Sequence, residues 1–430
     1  MVGTAVTDPI NDDAGTAVVE AARRDSSPVR VLLVGSGARE HALAWKLAQS
    51  PSLVELHAAP GNPGIAALGS CHPVRADDGE GLLALATTVG ARLVVIGPEA
   101  PLVAGVADEL RHAGIPVFGP GAGAARIEGS KLFAKDVMAA AGISSATSLA
   151  EARPPCVVKA DGLAAGKGVF VCRTEDELAE GLRAAREFGG EVLVEELLEG
   201  PEVSVFAICD GHTAVPIGAA RDSKRAFDGD LGPNTGGMGA LSPVPSLDES
   251  AELVARIHQP VIDELARRGT PFIGCLFAGL MLTERGPRVL EFNARFGDPE
   301  TQALIPRLEG DLLEALAAAA AGDLATARLT ESAEAAVTVV VTGPEYPTRS
   351  DYAGAPISGI ADAERGGAVI FHGGTAMRDG RLVTNGGRIL SVTAFAPTIP
   401  EARARAYAAV DTVSFEGMRF RTDIAAVAGG

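Results

Sequence analysis

Through its first 120 residues the chain alternates short β-branched apolar runs with longer stretches of helical periodicity. Residues 29–35 (VRVLLVG) read as a buried strand running through Gly35-Ser36-Gly37-Ala38-Arg39-Glu40 into a helix that Pro51 stops after Ser50. A second strand at 54–59 ends in the loop Pro60-Gly61-Asn62-Pro63-Gly64. A third at 93–96 ends in Gly97-Pro98-Glu99-Ala100-Pro101, with Pro101 suited to the first position of the next helix. Residues 116–120 close this unit. Strands alternating with helices pair in parallel and put their C-terminal loops on one edge, so Gly37, Asn62 and Glu99 should face one crevice.

The pattern then changes. Ser130 is placed to cap a helix ending at Gly142, and residues 156–159 form a strand delivering Lys159 at its end. Another short strand, 192–194, runs into the acidic stretch 195–202. Helical periodicity resumes over 249–269, followed by paired strands at 279–283 and 288–293 and an alanine-rich helix ending near Ala321. From residue 335 onward strands and turns dominate, with Asp379-Gly380 and Asn385-Gly386 as turn signals.

Composition narrows the class: 47% of 430 residues are hydrophobic and 21% charged, with a net charge of −18. Such a balance argues against nonspecific nucleic-acid binding and against an anionic membrane surface, so any anionic substrate must be held by local donors. Five scattered cysteines, with no CxxC pair, fit reduced thiols of a cytoplasmic protein better than a zinc site or disulfide framework. No apolar run approaches membrane-spanning length. Residues 1–28 lack the apolar core of a signal peptide and read as a disordered extension.

Several stretches carry candidate chemistry. Residues 291–300 (EFNARFGDPE) follow an apolar strand end, and Glu291 and Asn293 share one face of it. That pair suits a hard cation and Arg295 suits a phosphate or carboxylate, although a surface ion pair would use the same residues. The turn at Gly37 has the strand-turn-helix form that meets anions, but Glu40 stands where a dinucleotide fingerprint needs glycine. Glu99 suits ribose hydroxyls or, equally, a helix start. Residues 159–168 (KADGLAAGKG) carry two lysines around small residues, yet the spacing is not that of a P-loop. The loop 232–239 (GPNTGGMG) is costly to order unless it closes on something.

From about Val29 to Ile424 the chain carries, in this order, GSGAREHALAWKLAQSP, APGNPG, VVIGPEAPLVAGVADELRHAG, FGPGAGAARIEGSK, VVKADGLAAGKGV, VEELLEGPEVS, GPNTGGMGALSP, EFNARFGDPETQ, and HGGTA with VTNGGRILSVTA. This series resembles the phosphoribosylamine-glycine ligase (glycinamide ribonucleotide synthetase) family of ATP-grasp enzymes. The resemblance implies an α/β and α+β multidomain chain. Its parts would be an N-terminal parallel-sheet substrate-binding domain at 29–128, a two-lobed ATP-grasp domain at 129–330 with a lid lobe near 156–215, and a β-rich domain at 331–430. It implies that ATP, glycine and 5-phosphoribosylamine give glycinamide ribonucleotide, ADP and phosphate through glycyl phosphate, in a monomer.

By that resemblance Lys131, Lys159, Gly162, Gly166 and Gly168 serve the ATP phosphates, Glu195, Glu196 and Leu198 the adenine, and Glu202 the ribose. Glu291 with Asn293 would hold Mg2+ or Mn2+, and Lys167, Arg295, Lys224 and Asp222 would serve the chemistry. Gly37, Arg39, Glu40, Glu99, Asn234, Thr235 and Gly236 fall on the phosphoribosylamine side. Phosphoryl transfer relies on positioning and charge neutralisation, which suits these residue types and needs no nucleophilic side chain. The chain departs from the family pattern in a short 143–155 connection, a compact 172–191 segment, and Ser223, Leu231 and Leu241. An NAD(P)-binding oxidoreductase is the alternative from a different class, resting on the first βα turn alone.

Overall fold

The computed structural model describes residues 29–163, 168–245, 247 and 250–426; the N-terminal 28 residues lie outside that range. The first unit is a parallel five-stranded sheet in the order Ser70–Cys71, Leu53–Pro60, Val29–Gly35, Leu93–Ile96, Val117–Phe118. Val31, Leu32, Leu33 and Val34 are fully buried, as expected of a strand covered on both faces. Strand order reverses between Val29–Gly35 and Leu93–Ile96, so the loops after them open at a topological switch point.

The helix after the first turn spans Ala38–Leu47. That after Ile96 begins at Glu99, which puts Pro101 at its third position rather than its first. Proline is tolerated there because the first-turn N–H groups have no partner within the helix. The periodic stretch near 249–269 is observed as Ser250–Leu253, a π turn Val254–His258, and Gln259–Arg267. The wide turn falls just before Pro260, which has no N–H to give.

A separate small antiparallel sheet has the order Val169–Cys172, Cys156–Ala160, Val192–Glu196 and is backed by the helix Glu175–Glu187. Thr174 and Glu177 form a capping box at the start of that helix. The connection at 143–155 contains no helix. Instead it runs between two sheets, with Leu149 N–H donating to Val194 O (2.8 Å), Glu196 N–H to Thr147 O (2.9 Å) and Val289 N–H to Ser144 O (2.9 Å).

The largest element is an eight-stranded antiparallel sheet. Its order is Gly286–Asn293, Ile273–Thr283, Glu202–Asp210, Ala214–Asp222, Gly239–Ser242, Ala335–Thr342, Arg388–Ala396, Val369–His372. The last three strands come from the C-terminal part, which therefore continues the same sheet. The helix Ile399–Val410 packs on this end through Ala402, Ala406 and Val410.

Candidate active site

A cleft of about 1440 Å³ lies between the small sheet and the eight-stranded sheet. Strands of both sheets contribute to its walls. From the small sheet come Lys159, Glu195 and Glu196, and from the large one Glu202, Asp222 and Glu291. Leu198 lines it between the two.

Lys159 is buried at the end of Cys156–Ala160 and donates to Leu290 O at 2.9 Å. Its Nζ also lies 2.7 Å from Glu195 Oε2, while Lys135 Nζ lies 2.7 Å from Glu195 Oε1. Glu196 accepts from Thr147 N (2.8 Å) and pairs with Arg288 (3.0 Å). Both carboxylates assigned to adenine are thus tied to the base of the small sheet while still lining the cleft. Lys131 follows the Ser130 cap and reaches Gly162 O at 3.0 Å. Burial lowers its pKa, with Glu291 and Asp161 acting against the shift. Gly168 accepts from Ala160 N (2.8 Å), whereas Gly166 and Lys167 lie outside the described residues.

Lys224 pairs with Glu202 and, at 3.2 Å, with Asp222. Burial opposes its charge, but Asp222, Glu202 and Glu291 outweigh that, and its pKa is raised well above the usual lysine value. Glu300 is buried nearby and pushed up to about 7, by desolvation and then by Asp222. Thr235 accompanies Lys224, since its N–H and its Oγ1 both donate to Lys224 O at 2.8 Å. Arg225 donates to Asn234 Oδ1 at 3.3 Å.

Glu291 and Asn293 occupy one face of Gly286–Asn293, as their spacing requires. Arg295 lies beyond the strand end, and its ion-pair partners come from outside its own motif. It reaches Glu128 Oε1 at 3.0 Å and Glu99 Oε2 at 3.3 Å. Glu128 Oε2 also accepts from Ala294 N at 2.7 Å, so one buried carboxylate fixes both the guanidinium and the backbone beside it. Asp298 instead pairs with Arg388 (3.0 Å) and accepts from Gln302 (2.7 Å).

A second hollow of about 530 Å³ lies where the first unit meets the C-terminal part. Gly37, Asn62, Asp298, Tyr346, Gly374 and Arg388 line it. Asn62 Nδ2 donates to Ser36 O (2.9 Å) and His372 O (2.7 Å), pinning the first glycine turn to the C-terminal part. Arg388 bonds Gly236 O and Asp298 O, and Gly236 N–H donates to Tyr346 Oη at 2.9 Å. The loop 232–239 is thereby held at the border of the two hollows.

Arg39 and Glu40 are buried behind the first turn rather than open to a substrate. They bond each other at 2.6 Å, and Glu40 Oε2 accepts from Gly37 N at 2.6 Å. Glu40 fills the space between Gly35 and Gly97, where any added Cβ would strike it. The switch-point crevice that takes a pyrophosphate in dinucleotide-binding folds is therefore occupied by this chain's own carboxylate.

Sequence reasoning missed Glu128, Lys135, Tyr346 and Arg388. Lys135 was within reach, because it stands one helical turn after Lys131 on the same face. Glu128 adjoins the quoted Ser130 and Lys131, but nothing local ties it to Arg295.

Family models match along nearly the whole described chain: phosphoribosylglycinamide synthetase N domain over residues 29–128, its ATP-grasp (A) domain over 129–301, and its C domain over 336–427. The chain belongs to the phosphoribosylglycinamide synthetase family. It is 52% identical over 420 residues to a phosphoribosylamine–glycine ligase of Streptomyces coelicolor, covering 94% of this chain and 100% of that one. A Mesorhizobium japonicum protein of the same name is 49% identical over 92% of this chain and 97% of its own length. Among solved structures, phosphoribosylamine–glycine ligase of Thermotoga maritima superposes with a TM-score of 0.79 at 33% identity, covering 92% of this chain and 100% of that one. The phosphoribosylglycinamide synthetase architecture accordingly comprises the parallel N-terminal unit, the ATP-grasp unit and the sheet-rich C-terminal part. Among its described residues no helix is long and apolar enough to cross a membrane.

Proposed function

We propose that the chain joins glycine to 5-phosphoribosylamine, converting ATP to ADP and phosphate. The observation that carries this reading is the convergence of Lys159, Glu202, Asp222, Lys224 and Glu291 on one cleft, with Lys131 near enough for Glu291 to act on it electrostatically. Nucleotide in this cleft would set its phosphates toward Lys131 and Lys159, with Gly162, Gly166 and Gly168 around them. Adenine would lie against Glu195, Glu196 and Leu198, and the ribose near Glu202, which must then release Lys224.

Glu291 and Asn293 offer a carboxylate and an amide oxygen from one strand face, a donor set that fits a hard divalent cation. Mg2+ or Mn2+ held there would neutralise charge on the transferring phosphoryl group. Lys131, Lys159 and Lys167 would bind and orient the phosphates. The glycine carboxylate attacks the γ-phosphorus, ADP leaves, and glycyl phosphate results; the amine then attacks the carbonyl carbon and expels phosphate. Arg295, aimed by Glu128 and Glu99, is suited to the carboxylate or acyl phosphate. Lys224, freed from Glu202, would join Asp222 beside the amine.

The second hollow suits the phosphoribosyl part, with Gly37 in its lining, Arg388 as its cation and Gly236 bonded to Arg388 beside it, while Asn234 and Thr235 approach from the first cleft. Arg39, Glu40 and Glu99 would hold that border in place. A monomer is the working unit in this reading. Five free cysteines, four of them buried, are in keeping with a reducing, cytoplasmic setting.

The test is ADP release that requires both glycine and phosphoribosylamine, with alanine and bicarbonate as controls. Equal release with bicarbonate alone would overturn the reading.

A further inference from the structure

Lys135 has none of the roles assigned above, yet it is bonded to Glu195 and Ala146, which line the cleft. It extends from the helix Lys131–Ala140, and its side chain is 19% exposed. Its Nζ lies 2.7 Å from Glu195 Oε1 and 2.9 Å from Ser145 Oγ, and it also donates to Ala146 O. These contacts match the three donors of an ammonium group. The other oxygen of the same carboxylate, Glu195 Oε2, lies 2.7 Å from Lys159 Nζ. Glu195 itself is only 2% exposed. One buried carboxylate thus stands between two lysines contributed by different parts of the fold.

We infer that Lys135 is a positioning residue for ATP, acting through Glu195 on Lys159; this rests on the reading of Lys159 as a phosphate ligand. The argument has a charge part and a geometry part. A lone Lys159–Glu195 pair would be neutral, and its carboxylate would compete with phosphate for the ammonium group. With Lys135 on the far oxygen, the trio carries a net charge of about +1 and leaves Lys159 available to a polyanion. Glu195 is also held from one side by a residue of the helix Lys131–Ala140, so the angle at which it presents Lys159 no longer depends on the small sheet alone. Ser145 and Ala146 lie in the connection that carries the small sheet, so the same ammonium group sets the base of that sheet against the helix.

The test uses the full chain. Lys135→Gln removes the charge while keeping a donor for Ala146 O, and Lys135→Met removes both. Either variant should raise the ATP KM by about tenfold or more with the glycine KM little changed, and Lys135→Gln, which keeps a donor, should remain folded at the assay temperature. ADP affinity measured calorimetrically without glycine should weaken in parallel. Lys135→Arg should recover much of the loss. In a Glu195→Gln background, adding Lys135→Met should weaken ADP binding little further, because the two residues act as one unit. The inference is overturned by a folded Lys135→Gln protein whose ATP KM and ADP affinity stay within about twofold of the parent, or by fully additive losses in the double variant. Lack of glycine-dependent ADP release by the unaltered chain would overturn the functional reading instead, and calorimetric ADP binding would still decide the role of Lys135.

Discussion

That Glu291 and Asn293 share a face is legible because a strand's period of two fixes it, whatever surrounds them, but the period does not say that Glu291 alone of the two lines the cleft. Their roles should separate on substitution. Glu291→Gln keeps the size and one oxygen but removes the charge, so half-saturation with Mg2+ should move up by about tenfold or more and turnover should fall. A titration of ADP release against metal concentration checks this, and an unchanged midpoint would remove Glu291 from the metal. Arg295 could be singled out from the sequence, but its holders could not. Glu128 and Glu99 lie far from it along the chain, and only the folded arrangement brings three elements to one guanidinium. A second pair hidden from the sequence is His41 and His372, where His372 N–H donates to His41 Nδ1 at 2.8 Å. Burial, and then His372, pushes His41 down to about 3, and burial pushes His372 down to about 4. Unfolded, each ring titrates near 6.5. Between those values the unfolded chain binds more protons, so stability is fully present above about pH 6.5 and declines as pH falls toward 4. His41→Asn retains an acceptor without titrating, so its melting temperature should fall less steeply over that window. Parallel slopes for the two proteins would count against it.

At the scale of elements, the hairpin Arg225–Phe227 with Leu231–Asn234 contributes Arg225, Asp230 and Asn234 to the cleft wall, but its own pairing is short. The chain end supplies what it lacks. Thr422 N–H donates to Asp228 Oδ1 at 2.8 Å, Gly229 N–H to Asp423 Oδ2 at 2.8 Å, and buried Arg421 reaches Asp230 at 2.7 Å and Arg225 O at 3.1 Å. Arg421→Ala leaves the hairpin with fewer fixed partners, so its amides should exchange with solvent markedly faster while those of Val29–Gly35 do not. Hydrogen exchange read over 225–234 checks this, and unchanged protection there would mean the hairpin is held by its own contacts. Strands and caps, by contrast, were readable one at a time. Ser130 does cap its helix, accepting from Phe133 N at 3.2 Å, because capping chemistry acts over three residues. The short 143–155 connection was harder. Its backbone is satisfied by two sheets rather than by a helix, and no local pattern announces that.

For the molecule as a whole, the boundary that looks natural in the sequence is not a break in the structure. Ala335–Thr342 pairs antiparallel with Gly239–Ser242 from Gly239↔Val339 to Ser242↔Ala336, so the ATP-grasp strands and the C-terminal strands form one sheet. The change from mixed to strand-rich patterning near residue 335 is real, but periodicity carries no information about which strand joins which edge. A chain ending at Ser332 would leave Gly239–Ser242 as an unpaired, fully buried-type edge. It would also remove Arg388 from Asp298 and Gly236, and His372 from Asn62. Such a fragment should therefore aggregate or melt without a sharp transition, and bind ADP at least about tenfold more weakly. The full chain should show one cooperative transition covering both parts. If the shortened chain melts cooperatively and keeps its ADP affinity, the shared sheet is a contact between independent units, and the two hollows are coupled only through the loop at 232–239.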